Sequence, residues 1–217
     1  MQKYHYNNLS SFLTNWKDNT KYFDMLRLMA QLSKLFSENE VPYLDYRLAE
    51  NLFCKYFEAE NDARSCTAYD ARLMHVGIGI KTFVLKGKQD LAMQIAKYRN
   101  ERMEFANNQY DVNETQYHIV GRVEGTLRLF NTPYEFVNLE KLHIDKDDET
   151  SCSFHDELNE YTFNKSKSVL LKRFVVPSDH KDIPVEILED PLSLLEEFFA
   201  DKNKQVIVAK KHVRVSD

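Results

Sequence analysis

The sequence predicts an α/β or α+β layered fold, in which a helical N-terminal cap covers a mixed central sheet and a β-hairpin-rich region follows. Three observations support this class. Apolar residues recur at helical spacing through most of residues 1–60, a strand pair follows within 69–86, and alternating apolar segments dominate after residue 115. Such a mixture is typical of helices packed on a sheet. With 217 residues and a hydrophobic fraction of 43%, the chain is long enough for one domain with a substantial core.

Three helices are predicted in the N-terminal cap, which spans residues 1–60. They cover residues 8–17, 22–37 and 44–58, where apolar side chains repeat at intervals of three and four. In the third helix Glu50 lies beside the apolar stripe. We therefore expect its carboxylate along the boundary of the core rather than straight in water.

The strand pair is predicted over residues 69–76 and 78–86, and the rest of the fold is organised around it. Gly77 and Gly79 lie at alternate positions of this pair. A buried strand normally avoids glycine, because glycine adds backbone entropy and no packing. The two glycines therefore indicate one face on which something large comes close to the backbone.

The rest of the chain is divided into further helices, hairpins and a last strand. Residues 117–130 are predicted as a hairpin, because alternating segments flank the turn pair Glu124-Gly125. The other segments are assigned from their apolar periodicity and from the polar residues and prolines that bound them. Helices are predicted over residues 89–105, 166–174 and 191–199, strands over 137–144 and 205–209, and a second hairpin over 152–155 and 161–163.

Composition and charge exclude several classes of function. The formal net charge is −5, so any contact with nucleic acid must rest on local basic patches. The three cysteines form neither a zinc-binding pair nor a disulfide framework, which indicates free thiols. Without an apolar signal core or a run of membrane-spanning length, a cytoplasmic protein with no membrane partner is expected. Walker loops, dinucleotide-binding glycine fingerprints, G-x-S-x-G elbows and H-E-x-x-H motifs are missing from the sequence.

An acid and a lysine on the two predicted strands, Asp70 and Lys81, indicate chemistry on phosphate. Carboxylate oxygens bind Mg²⁺, usually with some of its waters retained. A metal ion makes water more acidic, and a nearby cation offsets the charge that develops on a phosphodiester during hydrolysis. The backbone carbonyl of Ile80 could supply a further metal ligand. The alternative interpretation is an ordinary buried hairpin with a surface lysine.

The same residues resemble the PD-(D/E)XK nuclease superfamily, which contains many type II restriction endonucleases. The superfamily pattern is an acid at the start of one strand, followed by acid-x-lysine on the next. Asp70 matches the first acid and Lys81 matches the lysine, but Gly79 stands where the second acid is expected. Members of the superfamily often draw an acid from the preceding helix, so the resemblance implies Glu50 as the replacement.

The helix that follows the catalytic hairpin carries Gln-x-x-x-Tyr in many relatives. Gln94 and Tyr98 match this pair and would support the site. The resemblance covers residues 44–105 and implies a central sheet of the restriction-endonuclease-like type.

The function that the resemblance implies is a Mg²⁺-dependent, sequence-specific endonuclease of double-stranded DNA, of the type II restriction class. Asp70, Glu50 and the Ile80 carbonyl would hold the metal, and Lys81 would act on the attacking water or the scissile phosphate. A homodimer is expected, because two strands need two sites and a palindromic target pairs with two-fold protein symmetry. Two other functions remain open: a non-catalytic DNA-binding or assembly protein on a degenerate nuclease fold, and an interaction protein without a nucleic-acid role.

DNA recognition is predicted in the last part of a single nuclease-like domain over residues 1–217. Residues 61–115 would form the catalytic hairpin and its helix, and 116–217 the recognition and dimer region.

The best candidate segment for DNA binding is basic and has hydroxyl side chains at a predicted helix start, where phosphate can bind. A solvated helix has the same composition. The side-chain amide of Asn164 can contact an adenine edge. This prediction requires the acidic loop over 145–149 to point away from the duplex. The predicted DNA-binding residues are Asn164, Lys165, Ser166, Lys167, Lys172 and Arg173.

Overall fold

The computed structural model of the chain describes residues 20–62, 68–85, 90–96, 99–167 and 169–200. Within these ranges the fold has four α-helices and two β-sheets, which confirms the predicted α/β class. The helices are α1 (Thr20–Gln31), α2 (Tyr46–Phe57), α3 (Arg99–Tyr110) and α4 (Pro191–Ala200). Short 3-10 turns cover Ser33–Leu35 and Leu139–Lys141.

The strands form a six-stranded and a five-stranded sheet. In chain order they are β1 (Glu60–Asn61), β2 (Ala71–Leu73), β3 (Val76–Val84), β4 (Asp90–Ala96), β5 (Glu114–Val123), β6 (Thr126–Pro133), β7 (His143–Asp147), β8 (Ser151–His155), β9 (Glu160–Asn164), β10 (Val169–Val175) and β11 (Lys181–Pro184). The first sheet has the order β1-β2-β3-β5-β6-β11, and the second has the order β4-β10-β9-β8-β7. Only the pair β3–β5 is parallel among the described strands, so the first sheet is mixed, as predicted.

Helices α1 and α2 cover one face of the first sheet. Asp45 caps α2, and its Oδ1 accepts hydrogen bonds from the backbone N–H groups of Arg47 and Leu48 at 2.9 and 3.2 Å. Tyr22 of α1 and Phe53 of α2 belong to one fully buried cluster with β3. This layer is the helical cap that the sequence predicts, and it brings the inner side of α2 to the strand that carries Lys81.

The second sheet and α3 cover the opposite face. Tyr161 and Phe174 of the second sheet are buried in a cluster with Tyr117 and Phe130 of the first sheet and with Met103 of α3. The edge strand β4 follows β3 in the chain but pairs with β10 of the second sheet. The two sheets therefore share both an aromatic core and a short covalent connection.

Both predicted hairpins of the first sheet are present. The turn between β2 and β3 lies at Met74 and His75, whereas the two predicted strands are divided at residue 77, and Met74 has a φ of 54°. The turn between β5 and β6 lies at Glu124-Gly125, as predicted, and Gly125 has a φ of 66°. Glycine suits this second turn, because it adopts positive φ without steric cost.

Two predicted helices are wrong. Residues 90–96 form strand β4, and the helix predicted over 89–105 begins only at Arg99. The helix predicted over 166–174 is instead a turn followed by strand β10, which pairs with both β9 and β4. The strand predicted over 137–144 is also displaced, because a 3-10 turn precedes β7 there.

The second predicted hairpin and the helix after Pro191 are confirmed by β8, β9 and α4. The predicted helix over residues 8–17 and the predicted strand over 205–209 lie outside the described residues.

Candidate active site

Asp70 and Lys81 are in direct contact. Asp70 lies one residue before β2, and its Oδ2 accepts hydrogen bonds from the Lys81 ammonium at 2.5 Å and from the backbone N–H of Ile80 at 2.8 Å. Both side chains are partly exposed, at 20% and 32%. The antiparallel pairing of β2 with β3 creates this contact, because it brings the start of one strand opposite the middle of the next. The predicted juxtaposition of an acid and a lysine is therefore present at a solvent-accessible position.

The carbonyl of Ile80 faces the same side of β3 as the Asp70 carboxylate. The N–H and C=O groups of one strand residue point toward the same neighbour. Since the N–H of Ile80 donates to Asp70, its carbonyl oxygen is directed to that side as well. Strand β2 pairs with β3 from Val76 to Ile78 and no further. The edge of β3 at Ile80 therefore lies beyond the end of β2.

Glu50 lies on the buried side of α2, and the charges of Asp70 and Lys81 act on its carboxylate. Its side chain is only 4% exposed, and its Oε2 accepts a hydrogen bond from Arg47 Nη1 at 2.9 Å. Burial raises the pKa of Glu50, and the negative charge of Asp70 raises it further, whereas Arg47 and Lys81 lower it. These influences indicate that the Glu50 carboxylate shares an electrostatic environment with Asp70 and Lys81.

Two further groups lie in this neighbourhood. Burial raises the pKa of the Cys54 thiol to about 12, and the charges of Glu50, Asp62 and Asp70 contribute to the shift. The Asp62 carboxylate bonds to the Arg72 guanidinium, which also donates to Glu60 at 2.6 Å. Asp62 is therefore held by a structural ion pair that joins the end of β1 to β2.

The positions of the two glycines on β3 explain why no acid stands two residues before Lys81. A Cβ on Gly79 would lie 2.8 Å from Cδ1 of Tyr117 and 3.1 Å from Cε1 of Tyr134. A Cβ on Gly77 would lie 2.6 Å from Cε2 of Tyr69. The predicted close approach is therefore made by tyrosine rings of the protein's own core rather than by a ligand.

The oxygen donors present fit a magnesium ion better than a metal that needs many side-chain ligands. No group of three or more His, Cys, Asp and Glu side chains among the described residues could hold a metal ion. Mg²⁺ is commonly bound through one or two carboxylates and keeps several waters. Asp70 and Glu50 would be the two carboxylates of such a set, with the Ile80 carbonyl as a further oxygen and Lys81 as the neighbouring cation.

Lys172 does not lie where the DNA-recognition prediction requires it. Its side chain is only 3% exposed, and its ammonium lies 3.7 Å from Glu135 and 3.4 Å from the Pro133 carbonyl oxygen. The ammonium also lies over the rings of Tyr117 and Phe174, at 5.8 and 5.4 Å from their centroids. Lys172 is thus removed from the predicted phosphate contacts, because strand β10 directs it into the core between the sheets.

The other predicted recognition residues lie on the surface but make contacts within the protein. Asn164 ends β9, and its Oδ1 accepts hydrogen bonds from Ser166 Oγ and from the backbone N–H of Lys167, both at 2.9 Å. The Lys165 ammonium pairs with Asp147 and donates to the Asp148 carbonyl at 2.5 Å. The acidic loop therefore lies against Lys165, a predicted phosphate contact, whereas the prediction requires this loop to point away from the duplex. Arg173 pairs with Glu160 at 2.6 Å.

A cleft of about 750 Å³ lies beside this segment. Its lining includes the cations Lys172 and Arg173, but also four carboxylates, which oppose the approach of a phosphate backbone. These acids are Asp145, Asp156, Glu157 and Glu160.

Gln94, the first residue of the predicted supporting pair, does not lie on a helix. Gln94 lies on strand β4 of the second sheet, opposite Leu171, so its predicted helical position is wrong. Tyr98 lies outside the described residues.

Arg47 is a functional candidate that the sequence reasoning missed. It stands three residues before Glu50, a spacing at which side chains of one helix meet. Its bond to Glu50 adds a second cation to the site. The spacing was visible in the sequence, but an arginine three residues from an acid is common on plain helix surfaces.

Comparison of the chain with protein-family models, with curated proteins and with solved structures finds no match. None of the helices in the described part of the chain combines the length and the apolar character that a membrane span requires.

Proposed function

We propose that this protein is a Mg²⁺-dependent endonuclease that hydrolyses phosphodiester bonds in double-stranded DNA. The observation that carries the proposal is the 2.5 Å contact of Asp70 with Lys81, whose charges act on the buried carboxylate of Glu50. Sequence-specific cleavage by a homodimer, as in type II restriction enzymes, is the finer form of the proposal. It rests on the resemblance to the PD-(D/E)XK superfamily.

The residues of the chain divide the chemistry between them. Asp70, Glu50 and the Ile80 carbonyl would hold the metal, and a bound Mg²⁺ supplies Lewis acidity that makes water more acidic and offsets charge on phosphate. Asp70 fixes the Lys81 ammonium at the exposed end of the strand pair. From there Lys81 orients the attacking water or stabilises the negative charge that grows on the scissile phosphate.

A second candidate is a non-catalytic DNA-binding or assembly protein. The favouring observation is Gly79, because the space that an acid would need at this position is filled by Tyr117 and Tyr134. In that case Asp70 and Lys81 would form a structural ion pair left on a degenerate nuclease fold.

Cleavage of plasmid DNA from several sources, with Mg²⁺ or with a chelator, tests the proposal. The wild-type protein should cleave only with Mg²⁺. Asp70→Asn should reduce the rate by roughly a hundredfold or more, the scale of losing one strong electrostatic contributor. It should leave DNA binding intact, because the change removes a negative charge near phosphate. Asp182→Asn is the matched control, since Asp182 pairs with Arg128 between β6 and β11 at the other edge of the sheet.

The outcomes separate the candidates. Cleavage that survives Asp70→Asn at the wild-type rate would remove Asp70 from the site. DNA binding without cleavage, under all metals and on all DNA tested, would favour the non-catalytic candidate. If the wild-type protein does not bind DNA even at low salt, both the endonuclease and the non-catalytic DNA-binding candidate would be contradicted. An interaction protein without a nucleic-acid role would then be favoured.

A further inference from the structure

Arg47 pairs with the buried Glu50 carboxylate from a much more exposed position. The guanidinium donates to Glu50 at 2.9 Å, and the arginine side chain is 43% exposed whereas that of Glu50 is 4% exposed. The first turn of α2 is fixed by the Asp45 cap, which holds the backbone of Arg47. The guanidinium of Arg47 also lies 5.1 Å from the centroid of the Tyr46 ring, so it is held by contacts within the first turn of α2.

Each carboxylate of the candidate site thus carries its own cation. Lys81 is bonded to Asp70 at 2.5 Å and Arg47 to Glu50 at 2.9 Å, so the formal charges of the four groups cancel. A neutral site has no attraction for a polyanion. If the two carboxylates bound a divalent cation, the same four groups with that ion would be doubly positive.

We propose that Arg47 is the exchangeable counter-ion of this site: its guanidinium neutralises Glu50 in the metal-free protein and turns to a substrate phosphate when Glu50 binds a divalent cation. The inference rests on the proposed function and names the residue that couples metal binding to phosphate binding. Arginine suits the second role, because its planar fork of donors matches two phosphate oxygens and keeps its charge at every working pH. The Arg47 side chain is 43% exposed, so it is in contact with solvent as well as with Glu50.

Mn²⁺ binding to the full-length protein without DNA tests the first half of the proposal, with electron paramagnetic resonance reporting the free ion. Glu50→Gln and Asp70→Asn should each weaken Mn²⁺ binding about tenfold or more. Arg47→Met should tighten it about tenfold, since it removes a competitor that holds Glu50 through one charge-assisted hydrogen bond. Arg47→Gln should act in the same direction. Arg128→Met, which breaks a surface pair on the far edge of the sheet, should change nothing.

DNA binding tests the second half, in a Lys81→Met background that lacks the proposed cleavage step. With Mn²⁺ present, adding Arg47→Met should weaken DNA binding and make its salt dependence shallower by about one unit, as expected for one lost phosphate contact. Tighter metal binding together with weaker DNA binding is a signature that a merely structural arginine would not give.

Two results would overturn the inference for different reasons. If Glu50→Gln and Asp70→Asn leave Mn²⁺ affinity unchanged, the proposed metal site itself fails and the inference falls with it. If those variants weaken Mn²⁺ binding but Arg47→Met does not tighten it, the metal site stands and only the role of Arg47 is refuted.

Discussion

Replacing Gly79 with alanine should lower the free energy of unfolding, although the change adds a single carbon atom. The new Cβ would lie 2.8 and 2.9 Å from two carbons of Tyr117 and 3.1 Å from one of Tyr134. Carbon atoms pack best at about 3.5–4.0 Å, so both rings would have to retreat. They are stacked with their centroids 4.0 Å apart, and Tyr117 also meets Phe174 edge-on at 5.3 Å. Retreat therefore disturbs a buried aromatic cluster.

The expected cost is about 1–2 kcal/mol. Overpacking a core by one carbon typically costs about 1–3 kcal/mol. Alanine also restricts the unfolded chain and returns about 0.4–1 kcal/mol of that loss. Gly79→Glu, which restores the acid of the superfamily pattern, should destabilise the protein further and should not raise cleavage, because its carboxylate would be buried among tyrosine rings.

Urea unfolding followed by circular dichroism measures these differences. If the clash with Tyr117 causes the loss, Tyr117→Leu should partly rescue Gly79→Ala, with a coupling energy of about 1 kcal/mol. Gly125→Ala is the control, because a Cβ there meets only one atom, at 4.0 Å, and its cost comes from a φ of 66°. It should show no coupling to Tyr117→Leu. A Gly79→Ala protein as stable as the wild type, or one without coupling to Tyr117→Leu, would refute the packing argument.

Two other predictions follow from buried polar groups. Burial lowers the pKa of His118 from 6.5 to about 4, so below pH 6.5 the unfolded chain takes up a proton that the folded protein does not. Between pH 7 and pH 5, the unfolding free energy of the wild-type protein should therefore fall by about 2 kcal/mol more than that of His118→Gln. Urea titrations in which the two proteins lose stability in parallel over this pH range would contradict this prediction. Lys172→Met keeps the packing of the stem and removes the charge near Glu135, so DNA affinity and its salt dependence should not change in fluorescence anisotropy. A uniform loss of affinity would restore Lys172 to the phosphate contacts.

The sequence patterns that predicted correctly have strong local causes. The hairpin around Glu124-Gly125 combines strict alternation with a glycine that the turn needs at positive φ. The contact of Asp70 with Lys81 follows from the antiparallel strand pair alone. Because Glu50 lies beside an apolar stripe of its helix, it could be expected at the boundary of the packed face, whereas its role together with Asp70 was implied only by the resemblance.

The patterns that failed carry no local information about tertiary context. Residues 169–175 form strand β10, which pairs with β4 on one side and with β9 on the other. Periodicity alone does not distinguish an apolar run of this kind from a buried helix. Leu91, Met93 and Ile95 alternate as a strand does, yet they also fit a helical stripe in part. The burial of Lys172 depends on which face of β10 meets the first sheet, which the sequence does not specify.

Strand β4 connects the two sheets, because it lies between two strands of the first sheet in the chain and is an edge strand of the second. The chain leaves the strand that bears Lys81, adds an edge to the other sheet beside β10, and only then returns through α3 to the parallel strand β5. The second sheet is consequently not a detachable module that gene fusion could exchange. A chain cut at residue 142 would lose β7 to β11 and α4. It would keep Asp90–Ala96 without β10, its partner strand, in the middle of the connection that the parallel pair needs. Replacing the second sheet as a unit would therefore also require replacing β4, which lies within the connection between β3 and β5.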